Sequence, residues 1–355
     1  MIKKALKKIL PQSLIDVIQG GRVRIDIWIA TKAAAYRWTA VLYYVFYSPA
    51  FYREMSSVLK GRRKYHQERD GDVSKSYLLR RNIHRLEKGL IMRPRRAIFG
   101  ETYIAETVKY FILCIELKIL EEAELDWAIC VMSEYFSVVN RTPIIEKAFE
   151  EFDRSSSLEK KQLMKSKPLP YESLPPVPVA FDQFKLLCER RHSVRWFKQL
   201  PVPRDLLEAA VDVAMTAPSA CNRQPLEFYI IDDPVRAAKI GAIPMGTAGF
   251  SHNFQCVVVI VGDLSAYPYE KDRHIIYIDS ALAAMQFQLA LETLGLASCT
   301  INWPDIERHE LQMARELSLE SFQRPTLLIA VGFADEGSMV AFSAKKTSQE
   351  LIKIQ

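Results

Sequence analysis

A proline-rich stretch near the middle of the chain limits what the chain can fold into. Proline has no backbone N–H to donate, so neither a helix nor a central strand runs through several closely spaced prolines. They stand at positions 168, 170, 175, 176 and 178, after consecutive serines at 155–157. We therefore predict a semi-extended linker over residues 155–180 that joins two domains, residues 1–154 and residues 181–355.

Charge is distributed unequally between the two sides of this linker. Residues 1–180 carry 31 Lys and Arg against 21 Asp and Glu, whereas residues 181–355 carry 17 against 21. The two parts are therefore expected to face different partners. Basic clusters at Lys60–Lys64 and Arg93–Arg96 come without a zinc finger, an RNA-binding strand motif or a recognition helix, so nucleic acid is not favoured as a partner.

Cysteine and histidine usage argues against a metal site or a disulfide framework. The six cysteines are scattered without a C-x-x-C pair, and no two histidines have the spacing of metal ligands. This pattern is typical of a reducing compartment and predicts a cytoplasmic protein. Pro11 interrupts the basic N-terminal stretch before any long apolar run, so the sequence predicts no secretory signal.

The N-terminal sixty residues combine basic and aromatic side chains. Met1–Leu10 has the pattern of a basic amphipathic helix, with a frayed terminus as the alternative. Nine aromatic residues follow in Ile25–Tyr52, but its unbroken apolar run, Trp38–Tyr47, is about half of what a spanning helix needs. We predict that residues 1–60 contact a membrane surface, which would be the inner face. A buried helical hairpin or a partner surface is the alternative.

The remainder of the first domain is predicted to be helical and to lack a catalytic constellation. Tyr77–Leu90 has a strongly amphipathic pattern and is expected to close at Gly89. Glu101–Leu120 and Glu122–Val139 are expected to form an antiparallel helical pair, which ends before Pro143.

A cluster of arginines opens the second domain, in what we call the arginine segment (Arg190–Phe197). Alternate residues of an extended chain share a face, so Arg191, Ser193 and Arg195 would point the same way. Guanidinium groups are the side chains best matched to phosphate, because they donate two parallel charge-assisted bonds. A phosphate site and a solvated basic turn are both compatible with these residues alone.

A second polar stretch follows a predicted helix at Leu206–Met215, in what we call the Ser219 loop (Thr216–Pro225). Its Ser219, Asn222 and Gln224 each donate and accept hydrogen bonds, as recognition of a heterocycle edge requires. Further on, the pattern predicts a helix and three strands: Asp279–Leu294, Phe228–Ile231, Cys256–Gly262 and Leu327–Val331. Neither a dinucleotide-binding glycine motif nor a P-loop is present.

Four motifs in order and at family spacing identify the C-terminal part as similar to a known family. They are R-H-S-V-R-W-F at 191–197, A-P-S-A-C-N-R-Q-P at 217–225, L-G-L-A-S-C-T-I-N at 294–302, and Lys345-Lys346 after a glycine-ended strand. With these motifs, residues from about 185 to 350 resemble the FMN-dependent nitroreductase family. The resemblance implies an α+β fold, a mostly antiparallel sheet flanked by helices, here preceded by an all-helical region. It also implies a homodimer with FMN at the interface.

The resemblance also assigns a role to three groups of residues. The FMN phosphate and ribityl chain would be held by Arg191, His192, Ser193 and Arg195, with Lys345 or Lys346 closing the site. The other subunit would contribute Pro218, Ser219, Asn222 and Gln224 to the isoalloxazine ring and the ribityl chain. The backbone of Thr300, Ile301 and Asn302 would meet the ring edge, and Gly246–Gly249 would face its pyrimidine side.

The activity implied is electron transfer from NAD(P)H through FMN to a small organic acceptor, in a ping-pong cycle. The flavin performs the chemistry, so no catalytic side chain is expected. One alternative is a membrane-surface flavoenzyme acting on a specific metabolite or glycan precursor; another is a non-catalytic interaction module. The helical N-terminal half and Asn302-Trp303, where many relatives have glycine, depart from the family. Trp303, Tyr267 and Tyr269 are expected either to close the pocket or to pack.

Overall fold

The computed structural model describes residues 12–156 and 166–354. They belong to two compact units, which divide between Ser56 and Ser57. The amphipathic helix predicted at Met1–Leu10 and part of the predicted linker lie outside the described residues.

The first unit is helical and exposes many apolar side chains. Its elements are α1 (Gln12–Ala33), α2 (Arg37–Leu42), a π-helical turn (Tyr43–Tyr47) and the beginning of α3 (Tyr52–Arg69). Trp28, Trp38 and Phe46 are all more than half exposed. Within the described part of the chain, we find no helix whose length and apolar character suit it to span a membrane.

The second unit begins with a helical bundle. After α3 come α4 (Tyr77–Leu90), α5 (Glu101–Glu116), α6 (Glu122–Val138) and α7 (Pro143–Ser156). Apolar residues recur on α4 at the spacing of one helix face, and Leu79, Ile83 and Leu86 are fully buried. Pro143 occupies the first turn of α7, where its missing N–H costs nothing, so it begins a helix that the sequence pattern did not predict.

Gly89 lies inside the last turn of α4, one residue before the predicted helix ends. A β-carbon at this position would lie 2.3 Å from the Phe99 ring. The glycine is therefore required by close packing of the Phe99 ring, in addition to its proximity to a helix end.

The rest of the unit is built on a four-stranded antiparallel sheet of order β1-β2-β4-β3. The strands are β1 (Leu226–Ile231), β2 (Cys256–Asp263), β3 (Ala297–Asn302) and β4 (Gln323–Gly332). The flanking helices are α8 (Phe181–Arg190), α9 (Arg204–Ala214), α10 (Pro234–Gly241), α11 (Ile275–Thr293) and α12 (Glu307–Leu317). A short α13 (Ser348–Leu351) follows. The predicted fold class, an α+β sheet domain after a helical region, is confirmed.

Both faces of the sheet are buried, because alternate residues of each strand join different cores. Val257, Val259 and Val261 pack with α10 and α12 on one face. Val258 and Ile260 pack with α9 and α11 on the other. A strand covered on both faces reads as a continuous apolar run, which is why Cys256–Gly262 was recognisable.

The helical bundle packs directly on the sheet domain. Val58 and Tyr77 share an apolar cluster with Leu264, and Lys75 Nζ lies 2.7 Å from Glu227 Oε1. Residues 57–355 therefore form one compact unit. The limits 1–154, 155–180 and 181–355 stay a prediction.

Candidate functional site

The arginine segment is held in an extended conformation between β3 and the end of β4. Val194 N donates to Ser298 O at 3.0 Å on the outer edge of β3. Asn253 fixes the other side, since its Oδ1 accepts from Phe197 N and its Nδ2 donates to Arg195 O, both at 2.9 Å. The segment therefore presents alternate side chains to one face.

These side chains line a cavity of about 500 Å³ beneath the chain that follows β4. Its walls come from α8, the arginine segment and the C-terminal segment. The predicted residues among them are Arg191, His192, Ser193, Arg195 and Lys345. Lys346 is exposed and does not line the cavity. The fold thus brings together two stretches about 150 positions apart in sequence.

The cavity has an excess of positive charge. Among the described residues, no carboxylate forms an ion pair with Arg191, Arg195 or Lys345. Glu189, which also lines the cavity, is paired with Lys185 at 3.7 Å. Such a group of cations around one cavity, with Arg191 partly buried and Arg195 and Lys345 exposed, favours an anionic ligand.

Two buried groups lie behind the segment. Ser298 Oγ is fully buried and has no hydrogen-bond partner among the described residues. Burial raises the pKa of the Cys299 thiol, an effect that Arg195, a hydrogen bond with Ser193 and Arg191 oppose. Cys299 is therefore a neutral thiol beside the cationic cavity.

The outer edge of β3 carries the next group of predicted residues. β3 is an edge strand that pairs with β4 on one side and contacts the arginine segment only at its beginning. Ile301 is buried in the core, and Thr300 Oγ1 donates to Gln288 Oε1 at 2.8 Å. These side chains have structural contacts, so it is the backbone edge of Thr300–Asn302 that is open to a ligand.

Trp303 and Tyr267 are packing residues and do not close a pocket. Trp303 is buried, and its indole N–H donates to Glu310 Oε1 at 2.7 Å. Tyr267 is 2% exposed and lies under Arg223. Tyr269, by contrast, is exposed.

The Ser219 loop has a backbone conformation that side chains rarely adopt. Cys221, Asn222 and Gln224 all have φ between 50° and 55°. Each such residue costs roughly 1 kcal/mol or more unless neighbouring contacts impose the conformation. Gln224 N donates to Ser219 Oγ at 3.1 Å, and Asp279 accepts from Ala220 N at the same distance.

Arg80 of α4 supplies the other contacts that fix this loop. Its Nε donates to Asn222 O at 2.9 Å, and its Nη2 donates to Gln224 Oε1 at 2.7 Å. Glu124 pairs with the third nitrogen at 3.2 Å, and both side chains are 15% exposed. The sequence did not identify Arg80, although three arginines at positions 80, 81 and 85 of one helix were a signal.

The two predicted cofactor-binding groups lie far apart in a single chain. Arg190, at the start of the arginine segment, pairs with Glu292 near the end of α11. Ala220, in the Ser219 loop, bonds to Asp279 near its beginning. These two acidic residues are thirteen positions apart on the helix, which corresponds to about 20 Å.

A comparison with family models gives the identity of this part of the chain. The nitroreductase family model matches residues 188–248 and 244–333. Residues 188–333 are a nitroreductase-family domain. The match contains the arginine segment, the Ser219 loop and all four strands, and the helical bundle that holds Arg80 precedes it.

Several curated proteins are similar to this nitroreductase-family domain. A Streptococcus pyogenes protein named as an NAD(P)H nitroreductase is 24% identical over 187 residues, which is 43% of this chain and 91% of that protein. An iodotyrosine deiodinase of Haliscomenobacter hydrossis is 26% identical over 185 residues, 44% of this chain and 82% of its own. An enone reductase of Lactiplantibacillus plantarum is 33% identical over 109 residues, 29% of this chain and 49% of its own.

Solved structures of related proteins also align with the chain. An FMN-dependent nitroreductase from Clostridium difficile aligns over 47% of this chain and 96% of its own, at 22% identity and a TM-score of 0.41. A nitroreductase family protein from Streptococcus pneumoniae covers 48% of this chain and 100% of its own, at 22% identity and a TM-score of 0.42.

Proposed function

We propose that this protein is an FMN-dependent oxidoreductase that moves electrons from NAD(P)H to a small organic acceptor. The observation that carries the proposal is the cavity in which Arg191, Arg195 and Lys345 meet and, among the described residues, pair with no carboxylate. FMN ends in a phosphate, and guanidinium and ammonium groups bind phosphate through charge-assisted hydrogen bonds. The nitroreductase-family match supports the same ligand class.

The residues present fit the cofactor. The cavity offers cations for the phosphate, and Ser298 Oγ is a buried hydroxyl without a partner among the described residues. Bound FMN would supply hydride acceptance and donation, so the protein has to bind, orient and stabilise charge. The open edge of β3 would give backbone donors to the ring, as electrostatic stabilisation of a developing anion requires.

The acceptor is the part of the function that family membership leaves open. Related proteins carry names that refer to nitro compounds, an enone and an iodotyrosine. A ping-pong cycle in one pocket accommodates such different acceptors, because donor and acceptor occupy the pocket in turn.

The test of the proposed function is flavin content and reduction. We expect the purified protein to be yellow, to release FMN on denaturation, and to lose its absorbance near 450 nm when NADPH or NADH is added without oxygen. A protein that stays colourless after incubation with excess FMN would contradict the proposal. Flavin that binds but is reduced by neither nucleotide would contradict the proposal that NAD(P)H is the electron donor.

We further infer that the protein works as a homodimer with FMN at the interface. The separation of about 20 Å along α11 between the anchor of the arginine segment and that of the Ser219 loop favours an arrangement in which the two groups at one flavin come from different subunits. In addition, Ile278, Leu282 and Met285 form an exposed apolar row on α11. Exposed apolar rows mark interaction surfaces, and a second copy of the chain would cover this one.

Mixed dimers would test this arrangement. We expect Arg191→Gln/Arg195→Gln protein and Ser219→Ala/Asn222→Ala protein to be nearly inactive as separate homodimers. Random mixing of their subunits should restore about a quarter of the activity, because half of the dimers would contain one intact site of two. No recovery in a mixture shown to exchange subunits would contradict shared sites.

A second proposal concerns where the enzyme works. The first unit exposes Trp28, Trp38 and Phe46 by 62%, 64% and 81%, next to Lys32 and Arg37. Exposed aromatic residues beside basic ones are typical of a segment in a membrane interface. We infer that this unit contacts the inner face of the membrane, where the acceptor would be a lipid-linked or membrane-bound metabolite.

Sedimentation with vesicles distinguishes this role from that of a freely diffusing reductase. The intact protein should sediment with vesicles containing anionic lipid, and Trp38→Ser/Phe46→Ser protein should remain in the supernatant with its flavin bound. Equal sedimentation of both proteins would contradict contact through these side chains.

A further inference from the structure

Two more arginines of α4 lie beside the Ser219 loop and are not accounted for by the cofactor. Arg81 and Arg85 are four residues apart and so project from the same side of the helix. α4 packs against the turn at Ala220–Asn222, and Arg85 lies within electrostatic reach of Cys221 in that turn. Arg80, the neighbour of Arg81, bonds directly to the loop.

Neither arginine has the partner that its charge calls for. Arg81 donates to Tyr65 Oη at 3.2 Å, and Arg85 donates to Asn82 Oδ1 at 3.4 Å. Within residues 12–156 and 166–354, no carboxylate forms an ion pair with either of them. Arg80 differs, because Glu124 neutralises it.

The environment makes this charge costly. Both side chains are half-buried, and burial lowers the pKa of Arg85, an effect that Arg81 increases and that Tyr103 and Glu106 oppose. A third guanidinium, that of Arg223, is 6% exposed and its Nε has no hydrogen-bond partner in the described part of the chain. Partly desolvated cations of like sign are stable together when an anion lies between them.

The geometry of Arg85 is suited to holding an anion in one orientation. Its guanidinium carbon lies 3.6 Å from the centroid of the Tyr103 ring. Stacking on an aromatic face restricts the planar fork, so less conformational entropy is lost when it donates to a carboxylate or phosphate. Surface arginines that merely improve solubility have no such restraint.

We propose that Arg81 and Arg85 form a binding site for the anionic group of the acceptor, beside the loop that contacts the flavin ring. The proposal rests on the proposed function, because the Ser219 loop marks the position of the ring. It assigns the acceptor class as a molecule with a carboxylate or phosphate near its reducible group. It also gives the helical bundle a part in substrate recognition, which the nitroreductase-family domain alone does not contain.

The test compares two acceptors that differ only in charge. With 4-nitrobenzoate, Arg81→Gln and Arg85→Gln should each raise KM about tenfold or more, as expected from losing a charge-assisted hydrogen bond. With neutral 4-nitrobenzyl alcohol, KM should stay within about twofold of the wild-type value, because no anion is bound. Lys88→Gln is the matched control, since it removes an exposed charge from the same helix. An equal loss with both acceptors, or no loss with either, would overturn the proposal.

Two further arms identify the source of the anion and exclude a purely structural role. In the reductive half-reaction, a selective loss with NADPH and not with NADH would assign the site to the donor's extra phosphate and overturn the acceptor assignment. Arg85→Lys keeps the charge but loses the fork, so partial recovery with 4-nitrobenzoate supports the site. Benzoate should inhibit wild-type protein competitively with the acceptor and inhibit Arg81→Gln protein more weakly; unchanged inhibition would also overturn the proposal.

Flavin content separates this proposal from the more general one. All variants should bind FMN and be bleached by NAD(P)H as the wild-type protein is. If the wild-type protein binds no flavin, the proposed function fails, whereas a yellow protein that is indifferent to acceptor charge contradicts only the anion site.

Discussion

The arginines of the arginine segment and the arginines of α4 are positioned in different ways. The arginine segment places Arg191 and Arg195 on one side through an extended backbone, within a single motif. The α4 arginines depend on a helix from the preceding bundle, whose partner, the Ser219 loop, lies about 140 positions further along the chain. The first group is visible in a short stretch of sequence, and the second exists only because the bundle packs on the sheet domain.

The largest difference between the two groups should appear in flavin affinity. Arg191→Gln/Arg195→Gln removes two charge-assisted contacts of about 1.5–3 kcal/mol each, so FMN should bind at least 100-fold more weakly. Quenching of flavin fluorescence by apoprotein measures this directly. Arg190→Gln is the control, because Arg190 is 72% exposed, pairs with Glu292 and does not line the cavity. Equal weakening in the control would mean that overall charge, and not the cavity, binds the flavin.

Arg80→Ala should act on the Ser219 loop and spare the cavity at the arginine segment. The loss of two hydrogen bonds and the unpairing of Glu124 should lower the free energy of unfolding by roughly 3 kcal/mol. It should also shift the visible spectrum of bound FMN, because the loop would no longer be held in its positive-φ conformation. Urea unfolding and absorbance spectra test both effects. Arg80→Lys keeps the charge and should recover part of the stability, and an Arg80→Ala protein with wild-type stability and spectrum would contradict the anchoring role.

A pair of glycine variants compares packing in the two regions. A β-carbon on Gly332 would lie 2.8 Å from the Phe197 ring, and one on Gly89 would lie 2.3 Å from the Phe99 ring. Each alanine variant should lose about 1–3 kcal/mol of unfolding free energy through overpacking.

Only Gly332→Ala should also weaken FMN binding, because Phe197 belongs to the arginine segment. Gly89→Ala should leave flavin affinity unchanged. Weaker FMN binding in Gly89→Ala and unchanged binding in Gly332→Ala would contradict the assignment of flavin binding to the arginine segment.

The smallest expected effect is a pH dependence within the bundle. Burial raises the pKa of Glu68, so its contribution to stability is complete below its ordinary pKa and is lost as pH rises through the raised value. The stability of wild-type protein relative to Glu68→Gln should therefore fall across the pH range that begins at the ordinary pKa of a glutamate carboxyl. Urea unfolding across this range provides the measurement. A relative stability that rises with pH would mean that Ser74 and Lys64 outweigh burial.

Local patterns predicted the elements of the sheet domain well. The strands at Phe228–Ile231, Cys256–Gly262 and Leu327–Val331 lie inside β1, β2 and β4, because buried strands show continuous apolar runs. The sequence pattern does not predict the helix at Pro143–Ser156, because a proline that follows a helix indicates a stop, although proline also begins helices.

The candidate site was predictable only where its residues are local in sequence. Arg191, Ser193 and Arg195 share a motif, and the structure places all three at one cavity with Lys345. Adjacent residues of an extended chain point to opposite sides, so only one of Lys345 and Lys346 can face the cavity. The sequence does not show which of the two it is. From the sequence, Trp303 is an aromatic residue in a loop that could either close a pocket or pack in the interior. Only the structure shows that it is buried and donates to the Glu310 carboxylate.

The sequence by itself determined the nitroreductase-like motifs, the apolar runs of the buried strands and the basic character of the cavity at the arginine segment. Each of these follows from neighbours in the chain, and the fold class came from the family resemblance that the motifs carry. The tertiary structure decided that Arg80 fixes the Ser219 loop and that Arg81 and Arg85 lie beside it, without a carboxylate partner in the part of the chain that the structure describes. Such contacts join residues about 140 positions apart. They form because the helical bundle and the sheet domain bury an apolar cluster between them, which brings the polar groups at the edge of that cluster together.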